Sequence, residues 1–333
     1  MRTRLALTAL AAVIGFASPA SADEKSELVV YTYDSFIQDW SPGPVIKERF
    51  EAVCDCTLTF VGADSSIGTL RKLQLEGTES DADVLLGLDT NIMENARDTG
   101  LFATHGADTS GIQLPVDWID DTFIPFDFGY FAFVYDKRKV ENPPASLAEL
   151  ASMPDDFKVV IQDPRSSTPG LGFVLWVDTV KGEGAADYWR DLQPNILTVT
   201  KGWSEAYGLF LEGEADMVLS YTTSPAYHLI AEEDPNFASA AFSDGHQIQI
   251  EVAAKVANSD QPDLARDFLQ FMLDEGFQST IPTQHWMYPA TGIDLPDGYE
   301  TLHVPEKAIL QDPATVEETR KAAIDVWLEA LDQ

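Results

Sequence analysis

The sequence has 333 residues, with 21 Lys and Arg against 55 Asp and Glu, for a formal net charge of −34. A chain this acidic repels nucleic acid and anionic lipid, stays in solution and draws cations through its long-range field. An apolar content of 45% with 11% aromatics excludes a disordered chain.

Arg2 and Arg4, an apolar run over 5–16 and the small residues Ala20-Ser21-Ala22 follow one another at the start. This pattern predicts a secretory signal peptide at 1–22 and a periplasmic mature chain. The run is too short for a bilayer anchor, which takes about 20 apolar residues. Its removal leaves 311 residues (333 − 22), enough for two domains, and a charge of −36 (−34 − 2).

Residues 28–32 (LVVYT) predict a buried strand, which leads into Tyr33-Asp34-Ser35-Phe36. Pro44 opens a helix with Val45, Phe50 and Val53 spaced for one face. Cys54 and Cys56 follow as the only cysteines. Export permits a disulfide, but a one-residue spacing closes a small, strained ring. The alternative is two thiols on one strand face, and both readings stand at this point. Residues 58–61 form a second strand. Asp64-Ser65-Ser66 then precede IGTLRKLQLEG, a helix capped by Ser65 or Ser66 and stopped by Gly77. Residues 83–88 are the next strand, with Asp89 at its carboxyl end. Strand alternating with helix predicts an α/β fold with a mostly parallel sheet.

Residues 124–135 (IPFDFGYFAFVY) are long, aromatic and without helical period, which predicts an extended crossing between domains. A helix starts near 143–147. A strand over 159–162 runs into DPRSST and a helix with Pro169 in its first turn. Trp203, Tyr207, Phe210 and Leu211 are spaced for a helix that Gly213 ends, and 217–220 is a strand. Residues 246–256 read as the return crossing. Helices follow over 262–277 and 313–331, the last free to pack on either lobe. With no Gly/Ser linker, the pattern predicts two lobes, each with its own sheet, joined by crossings near 124–130 and 246–252. Lobe 1 is expected from 23–125 with 251–333, and lobe 2 from 126–250.

Three stretches place Ser or Thr between a strand and a helix start: Asp64-Ser65-Ser66, Ser166-Ser167-Thr168-Pro169 and Thr222-Thr223-Ser224-Pro225. Each reads either as a simple cap or as a cradle for a phosphate or carboxylate at a helix N-terminus. Such helix starts follow the carboxyl ends of strands, where α/β sheets bind ligands. Tyr33, Trp203, Tyr221, Tyr227 and Trp286 lie at the same ends. They are either core packing or a platform for a flat, cationic heterocycle. Asp34, Asp64 and Asp89 each follow a strand and are either turn formers or counter-charge. His228 is expected on a short helix after Pro225. No Gly-x-Ser-x-Gly elbow, His-Glu-x-x-His motif or phosphate-binding Gly-x-x-x-x-Gly-Lys loop occurs. The five histidines show no paired spacing. Binding without catalysis is therefore expected, with no cofactor and no metal.

Seven segments carry a resemblance: YTYDSFIQDWSPGP (31–44), DVLLGLDTN (83–91), DTFIPFDFGYFAFVYDK (121–137), QDPRSSTPGLG (162–172), TVTKGWSEAYGLFLEGE (198–214), LSYTTSPAYH (219–228) and IPTQHWMYP (281–289). With the Cys-x-Cys, they resemble the periplasmic thiamine-binding proteins of bacterial thiamine ABC importers over essentially the whole mature chain. The resemblance implies an α/β, two-lobed type II periplasmic binding protein fold, with two hinge crossings and a ligand cleft between the lobes. It implies thiamine, thiamine monophosphate and thiamine diphosphate as ligands, delivered by a monomer to a membrane permease and its ATPase. Ser167, Thr168, Trp203, Tyr221, Thr222, Thr223 and Ser224 match the family's ligand-contacting positions. Ser65 and Ser66 depart from an enterobacterial pattern of an acidic residue followed by Gly, which leaves backbone contacts there. A ferric-ion binding protein would need adjacent tyrosines, and Tyr221 and Tyr227 are six apart. A polyamine-binding protein would have no use for the hydroxyl-rich end. A secreted phosphatase acting on thiamine phosphates is the enzyme alternative.

Overall fold

The computed structural model describes residues 25–331, so the signal-peptide expectation at 1–22 lies outside the described residues. The chain runs β1 (Glu27–Tyr33), α1 (Pro42–Cys54), β2 (Thr57–Ala63), α2 (Ser66–Glu76), β3 (Val84–Asp89), α3 (Met93–Asp98) and β4 (Phe102–Ala103). It continues through β5 (Phe123–Asp136), α4 (Leu147–Leu150), β6 (Val159–Gln162), α5 (Thr168–Lys181), α6 (Ala185–Leu192), β7 (Ile196–Thr200), α7 (Trp203–Leu211), β8 (Met217–Tyr221) and β9 (Phe237–Ser239). It ends with β10 (His246–Val256), α8 (Pro262–Phe271), α9 (Glu275–Gln278), β11 (Tyr288–Pro289), β12 (Ala308–Ile309) and α10 (Pro313–Leu331). Among the described residues, no helix is long and apolar enough to cross a membrane.

Local chemistry sets the helix ends. Ser65 accepts a hydrogen bond from the Gly68 N–H at 3.0 Å and caps α2, which stops at Gly77 in a positive-φ conformation. Ser167 precedes α5, whose Pro169 sits in the first turn where a missing N–H costs nothing. Cys54 and Cys56 are joined in a disulfide, with Asp55 between them in the left-handed region, so the bridge clamps the turn from α1 into β2. The helix expected over 262–277 is broken after Phe271. Phe271 and Phe277 both belong to one core cluster with Phe36, Phe50 and Phe268. Six residues apart, they would lie about 120° apart around a continuous helix, on different faces. The break buries both. After Pro225 the chain forms a widened turn over Tyr227–Ala231 in place of an ordinary α-helix. Elements beyond those expected are α3, α6, β4, β7, β9, β11 and β12.

The strand order is β2-β1-β3-β10-β5-β8-β6-β7. β2, β1 and β3 are parallel, as are β8, β6 and β7. Between these two groups lie the antiparallel β5 and β10, buried along nearly their whole length, which explains why β5 is apolar without alternation, whereas β10 alternates up to Val252 before it becomes apolar. Residues 123–130 of β5 pair with β10, and residues 131–135 pair with β8. The strands thus form one hydrogen-bonded path, where two separate sheets were expected. β5 hands over from one group to the other between Tyr130 and Phe131. The architecture is the two-lobed one, with β5 and β10 as its crossings. α10 packs on α5 and α6, and touches α3 less. Its Leu331 carbonyl accepts from Gln193 and nearby Gln311 bonds Thr179. The end of the expected lobe 1 span therefore rests on the second lobe.

Candidate functional site

The carboxyl ends of the parallel strands all point at the crossings. Asp89 ends β3, Glu251 lies on β10 and Asp127 on β5. In the sheet register Glu251 is paired with Asp89 on one side and Asp127 on the other. Three buried carboxylates therefore stand in one row across three strands. Like charges directly opposite one another destabilise a sheet, so this row needs a compensating cation. His285 supplies part of it. Its Nε2 lies 3.1 Å from Asp127 Oδ2, 3.2 Å from Glu251 Oε2 and 3.1 Å from the Tyr33 hydroxyl. One N–H proton faces three oxygens. The Tyr33 hydroxyl donates to Glu251 at 2.8 Å, and Asp127 is left without a hydrogen bond of good geometry.

Burial disfavours a charged ring at His285, but the Asp127 and Glu251 carboxylates override it and lift the ring to about 10. Burial, aided by neighbouring acids, pushes Asp89 and Glu251 up to about 7. Burial also raises Asp127. Tyr33 and Tyr221 are raised well above the ordinary tyrosine range by burial and then by Glu251 and Asp127, so both stay neutral. Asp127, Glu251 and His285 offer donor atoms within 4.8 Å of one another, close enough for a metal ion. A metal would have to displace the proton that makes His285 a cation, so the cluster suits an organic cation better.

Aromatic walls surround this floor. Tyr33 presses on Gly87, where a Cβ would come within 2.3 Å of its ring. Tyr221 lies over Gly129 and tilts against Phe131, centroids 5.3 Å apart. Trp286, a non-glycine residue in the left-handed region, packs edge-on to Tyr227 at 5.6 Å. Trp203 is half-buried and heads a column of rings: it stacks on Tyr207, which stacks on His228, which stacks on Phe237. His228 is fixed by Glu232 at 2.6 Å and Tyr207 at 2.9 Å, a packing role rather than a ligand's.

The hydroxyls divide into used and unused. Trp203 Nε1 donates to Ser220, Ser220 pairs with Ser224 at 2.7 Å, and Ser224 accepts from the Tyr221 N–H. Ser224 thus braces the wall. Thr223 contacts the Met287 sulfur, and Ser65 is spent on its cap. Ser167 is buried yet makes no capping bond, and Thr222 Oγ1 is buried without a partner. Thr32 Oγ1, Thr90 Oγ1 and Gln249 Oε1 are likewise buried without one. Thr32, Thr90 and Thr222 stand at or just beyond the ends of β1, β3 and β8, and Gln249 stands on β10; a bound ligand or water would complete such groups. Ser66 and Thr168 are buried at the starts of α2 and α5, next to N–H groups that lack intrahelical acceptors.

Of the residues singled out in the sequence, Tyr33, Asp89 and Tyr221 gather at the row. Trp203, Tyr221 and Ser224 form the braced wall, and Tyr227 meets Trp286. Asp64 sits at the rim, paired with Lys201 from the β7–α7 turn, and Gly202 lies against its carbonyl. That pair ties one lobe to the other. Asp34 is exposed, its carboxylate packed against Gly62 and its carbonyl bonded by Gln38, and so stands apart from the row. Asp127, Glu251 and His285 were not expected. A charged residue inside each apolar crossing strand was the signal for the first two.

Residues 37–279 match the family described as bacterial extracellular solute-binding protein. The thiamine-binding periplasmic protein of Escherichia coli (strain K12) is 52% identical over 309 residues, 93% of this chain and 94% of that one. The thiamine-binding periplasmic protein of Brucella abortus biovar 1 (strain 9-941) is 48% identical over 323 residues, 96% of each chain. The solved structure of a periplasmic thiamin binding protein superposes with a TM-score of 0.92 at 51% identity, covering 95% of this chain and 99% of that one.

Proposed function

This chain belongs to the bacterial extracellular solute-binding proteins, among the thiamine-binding periplasmic members, and on that premise we propose that it captures thiamine in the periplasm for an ABC importer. The observation that carries the reading is the row Asp89–Glu251–Asp127, which holds three carboxylates against one histidine proton. Thiamine is a flat, permanently cationic heterocycle. Its ring charge supplies what His285 alone does not, and Tyr33, Tyr221, Trp203 and Trp286 supply faces for stacking and cation–π attraction. Its alcohol tail can carry phosphate. The starts of α2 and α5, with Ser66, Ser167 and Thr168, suit that end, so thiamine monophosphate and diphosphate are proposed as ligands too.

The protein acts as a monomer that closes its lobes about β5 and β10, with Asp64–Lys201 meeting as the cleft shuts. A membrane permease and ATPase receive the ligand. The hydroxyls bind and do not react: Ser224 is spent on structure, and the one well-placed histidine, His285, is held as a cation and is no general base. Polyamines and ferric ion are not favoured. Titration calorimetry with thiamine and its two phosphates tests the reading, with free phosphate assayed afterwards. One site per chain and no phosphate release are expected. Phosphate released from thiamine monophosphate in step with protein concentration would move the protein to the phosphatases.

A further inference from the structure

A cavity of about 350 Å³ lies between the lobes, walled by α2 and α3 on one side and by residues 164–171 and α10 on the other. Arg71, Arg165 and Arg320 line it, three of the ten arginines in the chain. No lining residue is acidic, although the chain has 55 Asp and Glu. A cavity beside β1 and β2 shows the contrast, with Glu27, Asp81, Asp83 and Asp260 in its wall. Two of the arginines are braced from behind. Arg165 forks onto Asp163 at 2.6 to 3.1 Å, and Arg320 onto Glu317 at 2.8 and 3.2 Å. The Glu317 pair orients the Arg320 guanidinium through Nε and Nη2 and leaves Nη1 for a ligand. Arg71, exposed on α2, helps Arg165 hold the Asp163 carboxyl low, against the opposing pull of burial. Gln74 and Asn95 add amide groups.

Asp163 and Glu317 offset the charges of Arg165 and Arg320, so the net positive charge left at the pocket is that of Arg71, and an anion that bridges it to the guanidinium groups of the other lobe favours closure. Guanidinium groups match phosphate oxygens in both charge and geometry. We propose that this interlobe pocket binds a phosphate-type oxyanion and that its occupancy favours the closed form. The oxyanion is either free, as phosphate or pyrophosphate, or the terminal phosphate of thiamine diphosphate. Only the second source rests on the thiamine reading.

The test is calorimetry on the full chain and on an Arg71→Gln, Arg320→Gln double variant, with melting to show that both fold. Pyrophosphate is titrated into free and thiamine-saturated protein, and thiamine diphosphate into free protein. A free oxyanion site predicts pyrophosphate binding in both states and tighter thiamine binding in its presence, by linkage. The variant then loses pyrophosphate affinity by about tenfold or more, while its thiamine affinity without anion holds. A terminal-phosphate site predicts that the variant loses affinity for thiamine diphosphate and not for thiamine. Equal affinities of the two proteins for both pyrophosphate and thiamine diphosphate would overturn the proposal. If wild type failed to bind thiamine, the functional reading would fall, and the pyrophosphate titration would still decide this one.

Discussion

Replacing Glu251 by Gln tests the carboxylate row directly. The change keeps the shape and the acceptor for the Tyr33 hydroxyl, and removes one charge from between Asp89 and Asp127. A ligand cation about 4 Å from that charge gains about 4 kcal/mol at an effective dielectric of 20. Desolvating the cation takes back part of this gain, so a net loss of about 2–3 kcal/mol is expected, roughly 30- to 150-fold in affinity. The experiment belongs at pH 8, above the value of about 7 at which Glu251 ionises in the folded protein. Titration calorimetry with thiamine and with an analogue whose ring is uncharged gives the two numbers. The uncharged analogue should lose little, and the melting temperature should hold or rise, because a buried like-charge contact is gone. Equal losses for the two ligands, or none for thiamine, would refute the electrostatic argument.

A Ser167→Ala, Thr168→Ala variant should lose about 1.5–3 kcal/mol for thiamine monophosphate and about 0.5–1.5 for thiamine. Since Ser167 makes no capping bond, its melting temperature should barely move, and equal losses for the two ligands would leave the phosphate elsewhere. Trp203→Ala should weaken thiamine by about 1–3 kcal/mol and reduce the fluorescence change on binding; unchanged affinity would return Trp203 to the Tyr207–His228 column. Asp89 and Glu251 are raised to about 7, so the stability they contribute is full below their unfolded values near 4 and lost as pH rises through 7. His285, raised to about 10, contributes fully below its unfolded value near 6.5 and loses that contribution as pH rises from there through 10. The free protein should therefore lose the carboxylates' stability progressively from about pH 4 to just above 7, and the melting shift caused by thiamine should grow as the two groups ionise between pH 6 and 8. A shift that shrinks from pH 6 to 8 would contradict the assignment.

Much of the fold was legible because it rests on local rules. Ser65, Gly77, Pro169 and the run 313–331 mark their helices as a sequence reader expects. α6 was missed, although its buried Ala185, Tyr188, Trp189 and Leu192 keep the spacing of one helical face and could have marked it. The break after Phe271 was not legible, because it depends on where two phenylalanines must meet in three dimensions. Side chains next to strand ends can be picked out by position, and Tyr33, Asp89 and Tyr221 do lie beside the carboxylate row. The row itself depends on register between β3, β10 and β5, which are 38 to 162 residues apart in sequence (127 − 89 and 251 − 89). No local pattern sets that register. Capping and ligand binding also look alike in a sequence. Only the structure separates Ser65, whose hydroxyl is spent on Gly68, from Ser167, whose hydroxyl caps nothing.

The most direct measurement is titration of thiamine into protein that has been unfolded, dialysed and refolded to remove any carried ligand. Saturable binding of one thiamine per chain is expected, tighter at pH 8 than at pH 6, with quenched or shifted tryptophan emission. Absence of saturable heat and of any emission change, in protein whose melting shows it refolded, would contradict the thiamine reading.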